Sequence, residues 1–281
     1  MPTELLTALY GLLSAASYGA GDFLGGFNSR KSSLYAVIIS SQFVGLMLYL
    51  LLAWAGGESF PPLQDIAFGA IGGIIGLIGL FALYRSLSLG RMGITAPVAG
   101  IVTAAIPVVV GITTQGVPEP LTLIGFALGL GAVWLVARSP GQEQIDPQVL
   151  ILPFIAGSAF GIGFLFFARA TENSTFFPLA AARITTVTLL TLFVMITRKP
   201  FTLAAGRTLP LLAFGGALDA GGNAFFVLAA QSGRIDIAAV LSSMYPAVTV
   251  LLAWVILRER LHRSQGTGVV LALLAILLIV L

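Results

Sequence analysis

The chain contains no cysteine and a single histidine, His262. Without thiols there is no disulfide framework and no thiolate chemistry, and a Cys/His zinc cluster is excluded or nearly so. Charge is almost as scarce. Asp, Glu, Lys and Arg make up 9% of 281 residues, against about 25% in a soluble domain. Too little polar sequence remains to coat a globule of this size in water. Hydrophobic residues reach 58% and the mean hydropathy is +1.02, so the lipid bilayer is the expected solvent. The net charge of +3 is not gathered into a basic face, which leaves a nucleic-acid partner without support. Enzyme signatures are missing as well. There is no H-E-x-x-H, G-x-S-x-G, P-loop or G-x-G-x-x-G, so neither a catalytic centre, a metal nor a cofactor is expected.

What the chain does contain is apolar sequence in long runs. A bilayer-crossing helix needs about 20 mostly apolar residues. Ten such runs lie near 5–24, 34–54, 66–88, 94–115, 121–138, 149–168, 176–197, 208–231, 237–257 and 264–281. The separators are short and polar. The first run lacks a basic leading region and a cleavage site, and reads as a retained span.

The longest polar stretch, "RSPGQEQIDP" at 138–147, lies at the midpoint. A shift of 142 lays "SYGAG" (17–21) on "AFGIG" (159–163). A shift of 143 lays Gly72, Gly73, Gly79, Gly90 and Arg91 on Gly215, Gly216, Gly222, Gly233 and Arg234. The predicted units are residues 1–139 and 147–281, each of five spans. An odd number of spans forces the second unit to insert with the opposite orientation. Inverted repeats of this kind are common in secondary transporters, which bind their substrate near the midplane between the units.

Basic residues fall mostly on one side: Arg30, Lys31, Arg91, Arg138, Arg198, Lys199, Arg207, Arg258, Arg260 and Arg263, against Arg234 and the span-end Arg169. The positive-inside rule puts that side in the cytoplasm and both termini outside. The cluster "LRERLHRSQG" is a membrane-edge turn, and "ARATEN" and "GRID" read as solvated helix-end charges.

Glycines recur four apart at Gly21/Gly25, Gly69/Gly73, Gly72/Gly76, Gly125/Gly129 and Gly157/Gly161. Such pairs let helix backbones approach closely in lipid. They serve packing within the chain or, for "LIGFALGLGAVW", a dimer face. Pro107 and Pro246 fall in corresponding runs, and interrupted helices in matching positions point to a transport site. A static kink is the other reading.

Ionisable groups inside spans are costly and face a cavity or a partner. Asp219 lies mid-run in span eight, Arg183 in span seven, Asp22 in span one and Arg85 late in span three. Arg183 and Asp219 either pair with each other or meet the substrate. Asp22 and Arg85 either face a cavity or sit at the headgroup level. Asp219 shares a helix face with Asn223, Tyr18 with Asp22, Gln42 with Gly45 and Tyr49, and Ser242 with Tyr245 and Thr249. The expected cavity is thus part aromatic and part polar, which suits a small organic molecule. Asp22, Arg183 and Asp219 align with Phe164, Ser41 and Gly76. The charges are asymmetric, as expected where one substrate lies across a pseudo-symmetric site.

The stretches "SYGAGDFLGG" (17–26), "YRSLSLGRMGITAP" (84–97) and "GNAFFVLAAQSGRIDIAAVLSSMYPAVTVLLAWVILRERL" (222–261), with the duplication, carry a resemblance. The chain resembles the EamA-type ten-helix carriers of the drug/metabolite transporter superfamily over nearly its whole length. The second repeat carries the Glu-Arg-Leu turn at Glu259, Arg260 and Leu261. The first keeps an acid at Glu119, but Pro120 replaces the basic residue. The resemblance implies an all-α, multi-pass protein of two inverted five-helix repeats with a central cavity. It implies movement of amino acids, other metabolites or drugs, often outward, by alternating access. It places both termini in the cytoplasm, against the charge count, and it is the orientation preferred, because inverted repeats weaken charge bias.

The sequence therefore predicts a membrane exporter of a small organic solute, in the cell membrane (the bacterial inner membrane), as a monomer or homodimer in a lipid bilayer. Its expected substrate-binding residues are Tyr18, Asp22, Gln42, Tyr84, Phe164, Arg183, Asp219, Asn223 and Tyr245. Asp219 or Asp22 would carry a proton, and Arg183 would hold an anionic group or balance the acid. A membrane-embedded enzyme acting on lipid or isoprenoid, and a channel or non-transporting scaffold, are the alternatives.

Overall fold

A computed structural model describes residues 3–28, 32–88, 92–137, 147–170, 174–202, 208–257 and 263–280. Most of the midpoint stretch lies outside the described residues, as do Arg30, Lys31, Arg91 and the turn holding Glu259, Arg260, Leu261 and His262.

Every regular element among the described residues is a helix. These are α1 (Thr3–Asn28), α2 (Leu34–Ala55), α3 (Leu63–Ser88), α4 (Met92–Gln115), α5 (Pro120–Ala137) and α6 (Pro147–Ala170). Then follow α7 (Phe176–Thr197), α8 (Thr208–Ser232), α9 (Ile235–Ser242), α10 (Tyr245–Leu257) and α11 (Arg263–Val280). Six of the described helices contain stretches long and apolar enough to cross a membrane: in α2, α3, α4, α6, α7 and α8. Helices are what apolar runs of this length form in lipid, because each backbone amide and carbonyl is satisfied within its own segment. Large apolar side chains point outward, with Trp54, Leu63 and Ile196 among the most exposed. A soluble fold hides such groups. Here they form the lipid-facing coat.

The ninth predicted run is not one helix. The Ser243 amide bonds back to the Ala239 carbonyl at 2.9 Å, and Met244 makes a tighter turn to Leu241 at 3.2 Å. Pro246 has no amide to continue the ladder, so the chain restarts as α10. The matching interruption expected at Pro107 does not occur, for α4 runs unbroken past it. The carbonyl that Pro107 leaves without an amide donor, that of Thr103, lies against Gly161 of α6, where a Cβ would come within 2.8 Å of it.

Small residues set the packing. α1 lies antiparallel on α8: Ser14 donates to the Gly222 carbonyl at 2.8 Å, and a Cβ at Gly21 would meet the Asp219 amide nitrogen at 3.2 Å. α3 lies on α6 in the same sense, and α5 on α11. Gly125 and Gly129 of α5 face Ala275, and Gly125 also faces Ile279, all in α11. The glycine face read as a dimer candidate is thus occupied within the chain. Between these pairs α2 and α7 run side by side and antiparallel, joined at one end by Ser33 and Thr202 through backbone and hydroxyl hydrogen bonds.

Candidate functional site

α2, α7 and α8 converge on one polar group. Arg183 of α7 is only 7% exposed. Its Nη2 stands 2.9 Å from Oδ2 of Asp219 on α8. Its Nη1 donates to Oε1 of Gln42 on α2. The Gln42 amide reaches the same Asp219 oxygen at 3.5 Å. The guanidinium carbon also lies 5.7 Å from the centre of the Tyr49 ring, within the range of a cation–π contact. Tyr49 is fully buried, and its hydroxyl donates to the Ala220 carbonyl at 2.7 Å. The guanidinium is therefore engaged by a carboxylate, an amide and a ring at once. Gly45 makes the approach possible: a Cβ there would stand 3.3 Å from Arg183 Nε. Of the two readings left open for Arg183 and Asp219, the geometry is that of the pair.

A second group is aromatic. Tyr18 of α1 stacks on Phe164 of α6 and meets Tyr245 of α10 edge-on, both at 6.3 Å between ring centres. Phe164 stacks on Phe226 of α8 at 3.9 Å. Tyr18 fits because Gly222 has no side chain; a Cβ there would fall 2.5 Å from the ring. Asn223 follows on α8, and its amide donates to the Asp219 carbonyl at 3.2 Å. Asp22, one turn beyond Tyr18, has Asp219 and Tyr245 within electrostatic reach. Eight of the nine predicted residues thus fall in one region where α1, α2, α6, α7, α8 and α10 meet. The Tyr84 side chain lies outside the described residues.

Several functional-looking residues were not in the predicted set. Tyr49 shares the Gln42 face, and the four- and three-residue spacing was the available signal. Glu58, after α2, accepts from the backbone amides of Phe176 and Phe177 at 3.0 and 3.2 Å and from the Ser174 hydroxyl. It caps the start of α7 with a negative charge, where the helix dipole favours one. No local pattern reveals a cap that comes from 118 residues away. Asp236, read as a solvated helix-end charge, is fully buried and paired with Arg234 at 2.7 Å. Arg234 in turn donates to the last carbonyls of α4, at Gln115 and Gly116. "GRID" is therefore a clamp holding α9 to the end of α4, and burial follows from that docking.

A cleft of about 1120 Å³ opens at the end of the bundle where α1 begins, lined by Glu58, Phe68, Gln115, Arg169, Ser174 and Gln231 among others. None of the predicted residues lines it. Along α8, Phe226 lies between Asp219 and the cleft residues Ala230 and Gln231, and on α6 its stacking partner Phe164 adjoins the cleft residues Leu165 and Phe166.

Comparison with known proteins agrees with this architecture. Residues 148–281 match the model of the EamA-like transporter family. No curated protein matches significantly. A solved structure titled "Crystal structure of protein" superposes with a TM-score of 0.80, over 97% of this chain and 95% of its own. Identity between the two is 16%, so the likeness is one of fold.

Proposed function

We propose, from the membership of residues 148–281 in the EamA-like transporter family, that this multi-pass membrane protein carries a small organic solute by alternating access. The family is generally one of transporters, and transport rather than catalysis is the premise. In our reading the chain is two inverted five-helix units, residues 1–139 and 147–281, with α9 and α10 together making one of ten spans. The exchange of packing partners supports this: α1 packs on α8 as α6 packs on α3. Outward transport and a bacterial inner membrane rest on the resemblance to EamA-type carriers. The occupied glycine face of α5 favours a monomer as the working unit.

One observation carries the solute-carrier reading. An arginine and an aspartate are paired inside the bundle with a glutamine, beside an aromatic group and below an open cleft. Charges are placed at such depth in a membrane protein chiefly where a substrate or ion passes. The stacked Phe164 and Phe226 rings would separate the cleft from the polar group in one state and part in the other. Rocking of the two units would alternate the open end.

Asp219 is the proposed site of proton coupling. Purified protein in liposomes, with substrate first chosen by thermal shift, tests it. Asp219→Asn should lose proton-driven accumulation and keep solute exchange. Wild-type accumulation in that variant overturns the coupling role.

A further inference from the structure

We infer that the solute carried is a monovalent organic cation, such as a protonated or quaternary amine, held by Asp22 against the Tyr18 and Tyr245 rings. The inference rests on the carrier reading and gives it a substrate class.

The first step is the charge that is not available. Arg183 would be the natural partner for an anionic solute. It is buried, ion-paired to Asp219, hydrogen-bonded to Gln42 and stacked near Tyr49. The pair is neutral, one positive charge against one negative. A substrate carboxylate would have to compete at a buried guanidinium whose charge is already balanced by Asp219. Asp22 remains. Among the described residues it has no ion pair and no hydrogen bond. Among the described residues the charges here are thus one neutral pair and one further carboxyl, Asp22, with no cation of its own.

The second step is where Asp22 faces. Leu5, Leu9, Leu13 and Ala16 are the exposed, lipid-facing stripe of α1. At 3.6 residues per turn, Asp22 falls on the other side, in line with Gly11, Ala15 and Tyr18. Gly11 and Ala15 are buried against the bundle, yet Asp22 is exposed. An inward-facing residue that is exposed borders open interior space. Gly25, one turn on in the same stripe, agrees: a Cβ there would meet nothing within 4 Å.

The third step is the surroundings. The rings of Tyr18 and Tyr245 meet edge to face at 6.3 Å, one turn from Asp22 on α1 and across from it on α10. Ring faces attract an organic cation, more strongly where water is excluded. A hard divalent cation such as calcium or magnesium takes six or more oxygen ligands, and one carboxylate beside two phenols does not supply them. An ammonium on an apolar body matches both the acid and the rings.

The test uses the full chain in lipid nanodiscs, with benzyltrimethylammonium and phenethylammonium as cationic probes. 3-Phenylpropionate and 3-phenylpropanol are the anionic and neutral controls. The cations should bind at least about tenfold more tightly than either control. Asp22→Asn should weaken the cations about tenfold or more while the protein stays folded and monodisperse, and Asp22→Glu should retain most of the binding. Tighter binding of 3-phenylpropionate, or equal ammonium affinity in Asp22→Asn, overturns the inference. In liposomes the two failures separate. Saturable, Arg183-dependent flux of 3-phenylpropionate overturns the cation and leaves the carrier. A folded protein with no saturable flux of any of the four probes overturns both.

Discussion

The halves on either side of the midpoint pack alike and are charged differently. Gly79 of α3 admits the Phe160 ring, and Gly222 of α8 admits Tyr18; a Cβ would fall 2.6 and 2.5 Å from the rings. Gly73 lies on the α7 backbone at Ala182, and Gly216 on the α2 backbone at Ser41. Gly161 touches Ile106 as Gly19 touches Val248. The Thr103 carbonyl lies against Gly161 as the Tyr245 carbonyl lies against Gly19. The polar chemistry has no such echo. Where α8 carries Asp219, α3 has Gly76 facing open space; where α1 carries Asp22, α6 has Phe164 stacked on Phe226. Close packing in lipid needs small residues on both sides of a crossing, so it constrains both halves equally. In the proposed carrier a single solute would break the symmetry, and only the side chains that face it would need to differ.

The largest expected effect breaks the shared packing. Gly73→Val and Gly216→Val each drive a Cβ into backbone, 2.5 Å from the Ala182 carbonyl oxygen and 2.7 Å from that of Ser41. Backbone cannot swing aside as a side chain can, so each should cost about 3 kcal/mol or more. Both variants should lose monodisperse protein on size exclusion in detergent. If one is tolerated and the other is not, the two crossings are not equivalent and the likeness of the halves is superficial.

A smaller effect sharpens the difference in charge. Arg183→Met removes the cation from a pair whose acid is 33% exposed on its side chain. The loss should be about 2–3 kcal/mol, less than for a fully buried pair because water reaches Asp219. Arg183→Met combined with Asp219→Leu should regain most of that stability, since neither charge is then left alone. The double variant should still carry no solute. Stability regained together with transport would mean that the pair holds the bundle and does nothing else.

Much of this was legible in the sequence, and for a physical reason. Apolar run length and glycine spacing are local properties, and lipid leaves few structures compatible with them. The two shifts, 142 for α1 on α6 and 143 for α3 on α8, are the ones under which Tyr18 with Gly222 corresponds to Phe160 with Gly79. Gln42, Arg183 and Asp219 could be named because a polar group in an apolar run stands out. That Arg183 is held by Gln42 as well as Asp219 could not be read, because Gln42 on α2 and Arg183 on α7 lie 141 residues apart. The Glu58 cap escaped for the same reason. Pro107 and Pro246 look alike in sequence, but whether a proline ends a helix depends on what covers the carbonyl it strands, and neighbouring helices decide that.

The smallest effect concerns two helix ends that do the same job with different residues. α2 ends with Gly57 at φ 64°, and α7 ends with Arg198 at φ 50°. Both are left-handed, where an L side chain costs about 1–2 kcal/mol and glycine nothing. Nothing lies within 4 Å of a Cβ at Gly57, so Gly57→Ala tests the backbone alone and should lower stability by about 1 kcal/mol. Arg198→Gly should raise it by somewhat less, about 0.5 kcal/mol, because glycine also widens the unfolded ensemble. Melting curves of the two variants in one detergent should shift in opposite directions. A fall in both would mean that the Arg198 side chain is held by something that outweighs its strained backbone, and the two ends would then not be equivalent caps.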